Sequence, residues 1–111
     1  MTRTTILTLA ALLALAVAAP AQAATTGQAA RAAGKCFRAE GWKASVNGSN
    51  VKAQSPRNRG PNSFPRHPSF QVQFADNLGG RARFFTIQVA WALNDAETRT
   101  AKHCVNVGKR V

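Results

Sequence analysis

Cys36 and Cys104 are the only cysteines in the chain and stand 68 positions apart. Whatever this sequence folds into must either close most of its length around one covalent bond or carry two free thiols. The choice turns on compartment, and the first 23 residues bear on it. They pass from a short segment with Arg3, through an apolar stretch from Ile6 to Ala19, to Pro20 and the small-residue triplet Ala21-Gln22-Ala23. That order is the grammar of a secretory signal peptide with cleavage after Ala23. The apolar stretch is shorter than the roughly 20 residues needed to cross a bilayer. No charge cluster follows to stop transfer, and no cysteine sits at the cleavage point to carry a lipid. The expected destination is the periplasm or the extracellular space, where disulfides persist. A Cys36–Cys104 bridge is therefore expected, and closing a loop of that size is worth roughly 4 kcal/mol on the chain-entropy model.

With residues 1–23 read as the signal peptide, the mature domain is 24–111, or 88 residues. That is one small domain with little room for a large enclosed active site. The full chain has a net charge of +11, and loss of Arg3 leaves 14 Lys and Arg against Glu40, Asp76, Asp95 and Glu97, a net +10. A surface of that sign favours polyanions.

Period changes along the chain give a coarse architecture. Residues 25–40 are alanine-rich, and Ala29, Ala32, Ala33, Cys36 and Phe37 share one face at helical spacing. Gly34 weakens this helix and Gly41 is placed to end it. Trp42, Ala44 and Val46 then alternate, Asn47-Gly48 supplies a turn, and Val51 and Ala53 resume the alternation, which predicts a hairpin. Prolines at 56, 61, 65 and 68 disfavour regular structure in the following stretch. A second hairpin follows: Phe70, Val72 and Phe74 alternate, "ADNLGG" turns the chain, and Phe85, Ile87, Val89 and Trp91 alternate on the return. Asn94 with Glu97 three positions on marks a last helix, capped and with Asp95 in its first turn. The alternation of His103, Val105 and Val107 also allows that helix to stop near Lys102 and give way to a short strand. The expected fold is α+β: a small single domain with a helix, two antiparallel hairpins forming a sheet of about four strands, a C-terminal helix and one disulfide.

Little in the chain points to catalysis. No G-x-S-x-G, H-E-x-x-H or P-loop pattern occurs. The scattered Cys36, His67, His103 and Cys104 lack the close pairing of zinc ligands, and no metal or other cofactor is expected. Asp95 and Glu97 read as capping and dipole partners. One enzyme reading is a small secreted ribonuclease with His67 and His103 as base and acid, a pair whose convergence the spacing does not support. A binding reading uses more of the sequence. Arg57, Arg59 and Arg66 lie in the proline-rich stretch, and Arg81 and Arg83 open the strand after the second turn. Their guanidinium forks suit phosphate or carboxylate groups. Candidate partners are anionic lipid, acidic polysaccharide, nucleic acid or an acidic protein. A third reading is an inhibitor-type domain that presents the proline-stiffened loop to another protein.

Overall fold

The computed structural model describes residues 24–76 and 83–111; the segment expected to be a signal peptide and most of the second turn lie outside them. The chain forms α1 (Thr26–Ala39), β1 (Lys43–Asn47), β2 (Asn50–Gln54), β3 (Ser69–Asp76), β4 (Phe84–Trp91) and α2 (Asp95–Lys109). The four strands make an antiparallel meander in the order β1-β2-β3-β4. This is the α+β fold read from the sequence. The last segment is one helix, with no strand at its end.

Each boundary of α1 has a local cause. Thr25 and Gln28 form a reciprocal capping box, with the Gln28 amide donating to Thr25 Oγ1 at 3.1 Å and the Thr25 amide to Gln28 Oε1 at 2.8 Å. At the other end Gly41 has φ +85°, a backbone state that glycine alone adopts freely. Its amide bonds to the Arg38 carbonyl while that of Trp42 reaches back to Phe37, both at 3.0 Å. The Trp42 ring then packs against Phe37 in a tilted contact, ring centroids 5.1 Å apart, which supplies the apolar contact that accompanies this termination. The first hairpin differs by one position from the expected turn: Asn47 pairs with Asn50, so the two loop residues are Gly48 and Ser49. Gly48 has φ +60° and Ser49 does not have positive φ, a pattern that matches the twist of the flanking strands.

The core lies between α1 and the sheet. Val51, Ala53, Phe70, Val72 and Phe74 project from β2 and β3 toward Ala30, Ala33 and Phe37, with Trp42 and Phe84 at the margins. Phe37 also meets Phe70 at 5.9 Å, and Phe74 meets Phe84 edge-on at 6.2 Å. Gly34 has a packing role that its low helix propensity conceals, because a Cβ there would stand 2.5 Å from Val46 Cγ2.

The second helix packs chiefly on the first. Ala29 of α1 lies against Gly108 of α2 and Cys36 is bonded to Cys104, so the helices run antiparallel. Small residues let their backbones approach: a Cβ on Gly108 would sit 2.8 Å from the Ala29 carbonyl oxygen and 2.5 Å from Phe74 Cζ. The disulfide joins Cα atoms 5.4 Å apart in the same interface.

Gly108→Ala should therefore destabilise the fold by about 1–3 kcal/mol, although alanine is the better helix former by about 1 kcal/mol, because the obstacle includes backbone as well as an aromatic ring. Urea midpoints read the effect. Reduction of the disulfide should lower the same midpoint by the equivalent of roughly 4 kcal/mol.

Candidate functional site

The proline-rich stretch, 55–68, is a connection by position and an ordered structure by its bonds. The Ser55 amide donates to the Pro68 carbonyl at 2.8 Å and closes the base, and the Arg59 amide donates to Arg66 at 2.8 Å as a second rung. Side chains fill in for the amides that proline lacks. Arg59 Nη1 donates to the Pro65 carbonyl at 2.8 Å, the Ser63 hydroxyl to Arg59 at 2.9 Å, and the Gly60 amide to Asn58 Oδ1 at 2.8 Å. His67 Nδ1 lies 2.9 Å from the Arg57 carbonyl. The Phe64–Pro65 peptide is cis, and Phe64, at the far end of the loop, is 98% exposed.

One carboxylate fastens this loop to the start of α2. Glu97 is 8% exposed and fully engaged. Its Oε1 accepts from Arg57 Nη2 at 2.7 Å and from the Asn94 amide at 2.9 Å, and its Oε2 accepts from Arg57 Nε at 3.2 Å and from the Ser55 hydroxyl. The Glu97 amide donates to Asn94 Oδ1 at 2.8 Å and completes the expected capping box. The Arg57 fork holds the Glu97 carboxyl at a pKa of about 2, below its ordinary 4.5, with the Ser55 and Asn94 bonds acting in the same direction against the opposing effect of burial. Arg57 Nη2 also donates to the Ala92 carbonyl at 2.8 Å. Ala92 has φ +60°, an uncommon state for a residue with a Cβ, at the bend from β4 into α2.

These contacts separate the arginines named from the sequence. Arg57 is half-exposed but anchored, so it serves as a structural tie. Arg59 and Arg66 are exposed along the loop, with the Arg59 guanidinium leaning on Pro65. Arg83 is exposed and lies over the Phe84 ring at 5.4 Å, within cation–π range. Arg81 lies outside the described residues. His67 sits at the base of the loop, in a groove with Gly41, Lys43, Gln54, Ser55 and Pro56, whereas His103 is exposed on α2. Among the described residues no three His, Cys, Asp or Glu side chains come together as a metal site would require.

Two surfaces escaped the sequence reading. The first is cationic. Arg31, Lys35 and Arg38 recur on the exposed side of α1, and Arg99, Lys102 and Lys109 are exposed along α2 with Arg110 at its C-cap. The positions are legible in the sequence, but which side of each helix is exposed is set by the packing of the two helices. The second is apolar. Phe70 pairs with Ala90, Val72 with Gln88 and Phe74 with Thr86, so the side of β4 that faces the helices carries Phe84, Thr86, Gln88 and Ala90. The alternating set Phe85, Ile87, Val89 and Trp91 points to the opposite face, where these residues are 41–55% exposed. Trp91 shares a groove of about 340 Å³ with Phe64, Pro65, Ser69 and Gln71. The apolar strip thus continues from the edge strand to the tip of the loop.

No protein-family model matches this chain, and neither do any of the curated proteins or solved structures.

Because the Glu97 carboxyl titrates lower when folded than its ordinary 4.5, its stabilising contribution is present above that value and is lost as pH falls from about 4.5 toward 2. Glu97→Gln should lower stability at neutral pH by about 2–3 kcal/mol and flatten the acid limb of a Tm-against-pH profile. An unchanged acid limb in the variant would show that Glu97 is not the group responsible.

Proposed function

We propose that this chain works as an exported, disulfide-closed binding protein that attaches electrostatically to an anionic partner, with no catalytic step. One observation carries the reading. Of the 13 lysines and arginines among the described residues, only Arg57 takes part in an ion pair, so the remaining cations are available to a ligand. A surface in which cations are laced with carboxylates screens itself. Among the described residues this one has a single internal pair, and its other acids stand apart: Glu40 at the end of α1, Asp95 in the first turn of α2 and Asp76 at the end of β3.

The cations fall into two groups that support the reading differently. Those of α2, from Arg99 to Arg110, lie along a rigid helix and suit a partner with regularly repeated charge. Arg59 and Arg66 are borne on a loop whose conformation is set by its own hydrogen bonds, so little entropy is lost when it is immobilised by a ligand. The disulfide is compatible with the oxidising compartment that export would reach.

Retention on long-chain polyphosphate or a sulfated polysaccharide tests the proposal. Binding should persist at 0.15 M salt and weaken linearly in a plot of log affinity against log salt. Replacing Arg99, Lys102, Lys109 and Arg110 together by Gln should reduce that slope by about the number of contacts removed. Failure of the wild-type protein to bind either polymer at 0.15 M salt would end the reading.

A further inference from the structure

The outer face of the sheet, on the side away from the helices, combines features that charge alone does not require. We infer that it is a docking surface for an anionic lipid bilayer, an assignment that rests on the reading of an anionic partner and names its class. Phe85, Ile87, Val89 and Trp91 stand in line on β4, spanning about 20 Å at strand spacing, and the groove at Trp91 leads to Phe64. These five side chains are the large hydrophobic residues left exposed among those described. They form one connected strip, as interaction surfaces do and scattered exposed residues do not.

The rest of that face has the complementary charge. Strand register places Lys43, Gln54, Ser69 and Trp91 in one row, and Ser45, Lys52, Gln71 and Val89 in another. Among the described strand residues none on this side is a carboxylate, since Asp76 pairs with Phe84 and shares its opposite face. Lysine head groups therefore lie on the same side as the apolar strip, with Arg59 and Arg66 on the loop that carries Phe64. In a bilayer interface this division is matched: aromatic and aliphatic side chains enter the acyl boundary while ammonium and guanidinium groups meet lipid phosphates. Trp91 has the amphipathic ring favoured at that depth.

The free edge of β4 fixes how far the face can enter. Unpaired strand amides and carbonyls cannot pass into hydrocarbon without partners, so the strand lies at head-group level and only its side chains go deeper. Self-association accounts for less. A second copy would bring another strongly cationic domain against Lys43 and Lys52.

The two tryptophans supply a direct test, because Trp42 is buried and Trp91 is 41% exposed. Vesicles containing phosphatidylglycerol should shift the emission to the blue and bind the full mature chain at least tenfold more tightly than phosphatidylcholine vesicles, about fivefold being expected per basic side chain at the surface. Phe64→Ser and Ile87→Ser, both at exposed positions, should each weaken vesicle binding severalfold and leave polyphosphate binding and Tm unchanged. The assignment is overturned if wild-type emission does not move on anionic vesicles, or if both variants bind them as the wild type does. It is overturned equally if sedimentation without lipid shows a dimer that Ile87→Ser dissociates, since the strip would then belong to a second copy. Wild-type protein that binds polyphosphate but not the anionic vesicles would sink the bilayer alone; wild-type protein that binds neither would sink the anionic partner as well.

Discussion

The antiparallel contact between the two helices is the constraint on which the rest of the structure depends. A domain this small has little core, and α2 lies mainly on α1 and only marginally on the sheet. Its position is set at two places. Toward its C-terminus, Gly108 allows the backbone of α1 to come close and the Cys36–Cys104 bond makes the approach permanent. At its N-terminus, Glu97 joins the cap of the helix to Ser55 and Arg57 at the root of the loop. The loop is consequently ordered from the same carboxylate that starts the helix.

That placement also decides what remains uncovered. The helix layer protects β1, β2 and β3, and after Phe84 the fourth strand runs on past it, so even Gln88 and Ala90 on the helix side are exposed. An edge strand of eight residues with an apolar outer row and no charge of its own departs from the usual protection of edges by lysine, proline or bulges. Folding does not account for the departure, since none of the four outward residues contributes to the core.

Electrostatics divides in the same way. The one carboxylate with an organising role is shielded and saturated, and its guanidinium partner is held there with it. The other cations stand on both helices, on the outer sheet face and along the loop without ion-pair partners among the described residues. Stability and surface charge are thus assigned to separate residues. For that reason changes to the exposed cations are expected to leave folding largely unaltered.

Much of this was legible in the amino-acid order because it is local. Helical spacing, the Asn94–Glu97 cap, the glycine that ends the first helix, the period-two strands and the lone cysteine pair all act over a few residues or leave a single choice, and they gave the elements, their order and the bridge. What depended on distant segments was not legible. A period of two states that Phe85, Ile87, Val89 and Trp91 share a face, but the face is chosen by register with β3, and a shift of one residue would have exchanged it. Likewise the composition showed Arg57 as one cation among many, and only the fold, by bringing position 97 to position 57, made it a strut. The sequence alone settled which residues stand together along each element, because near neighbours interact whatever the topology. The tertiary structure settled which side of each element is covered, because burial depends on where remote segments come to rest.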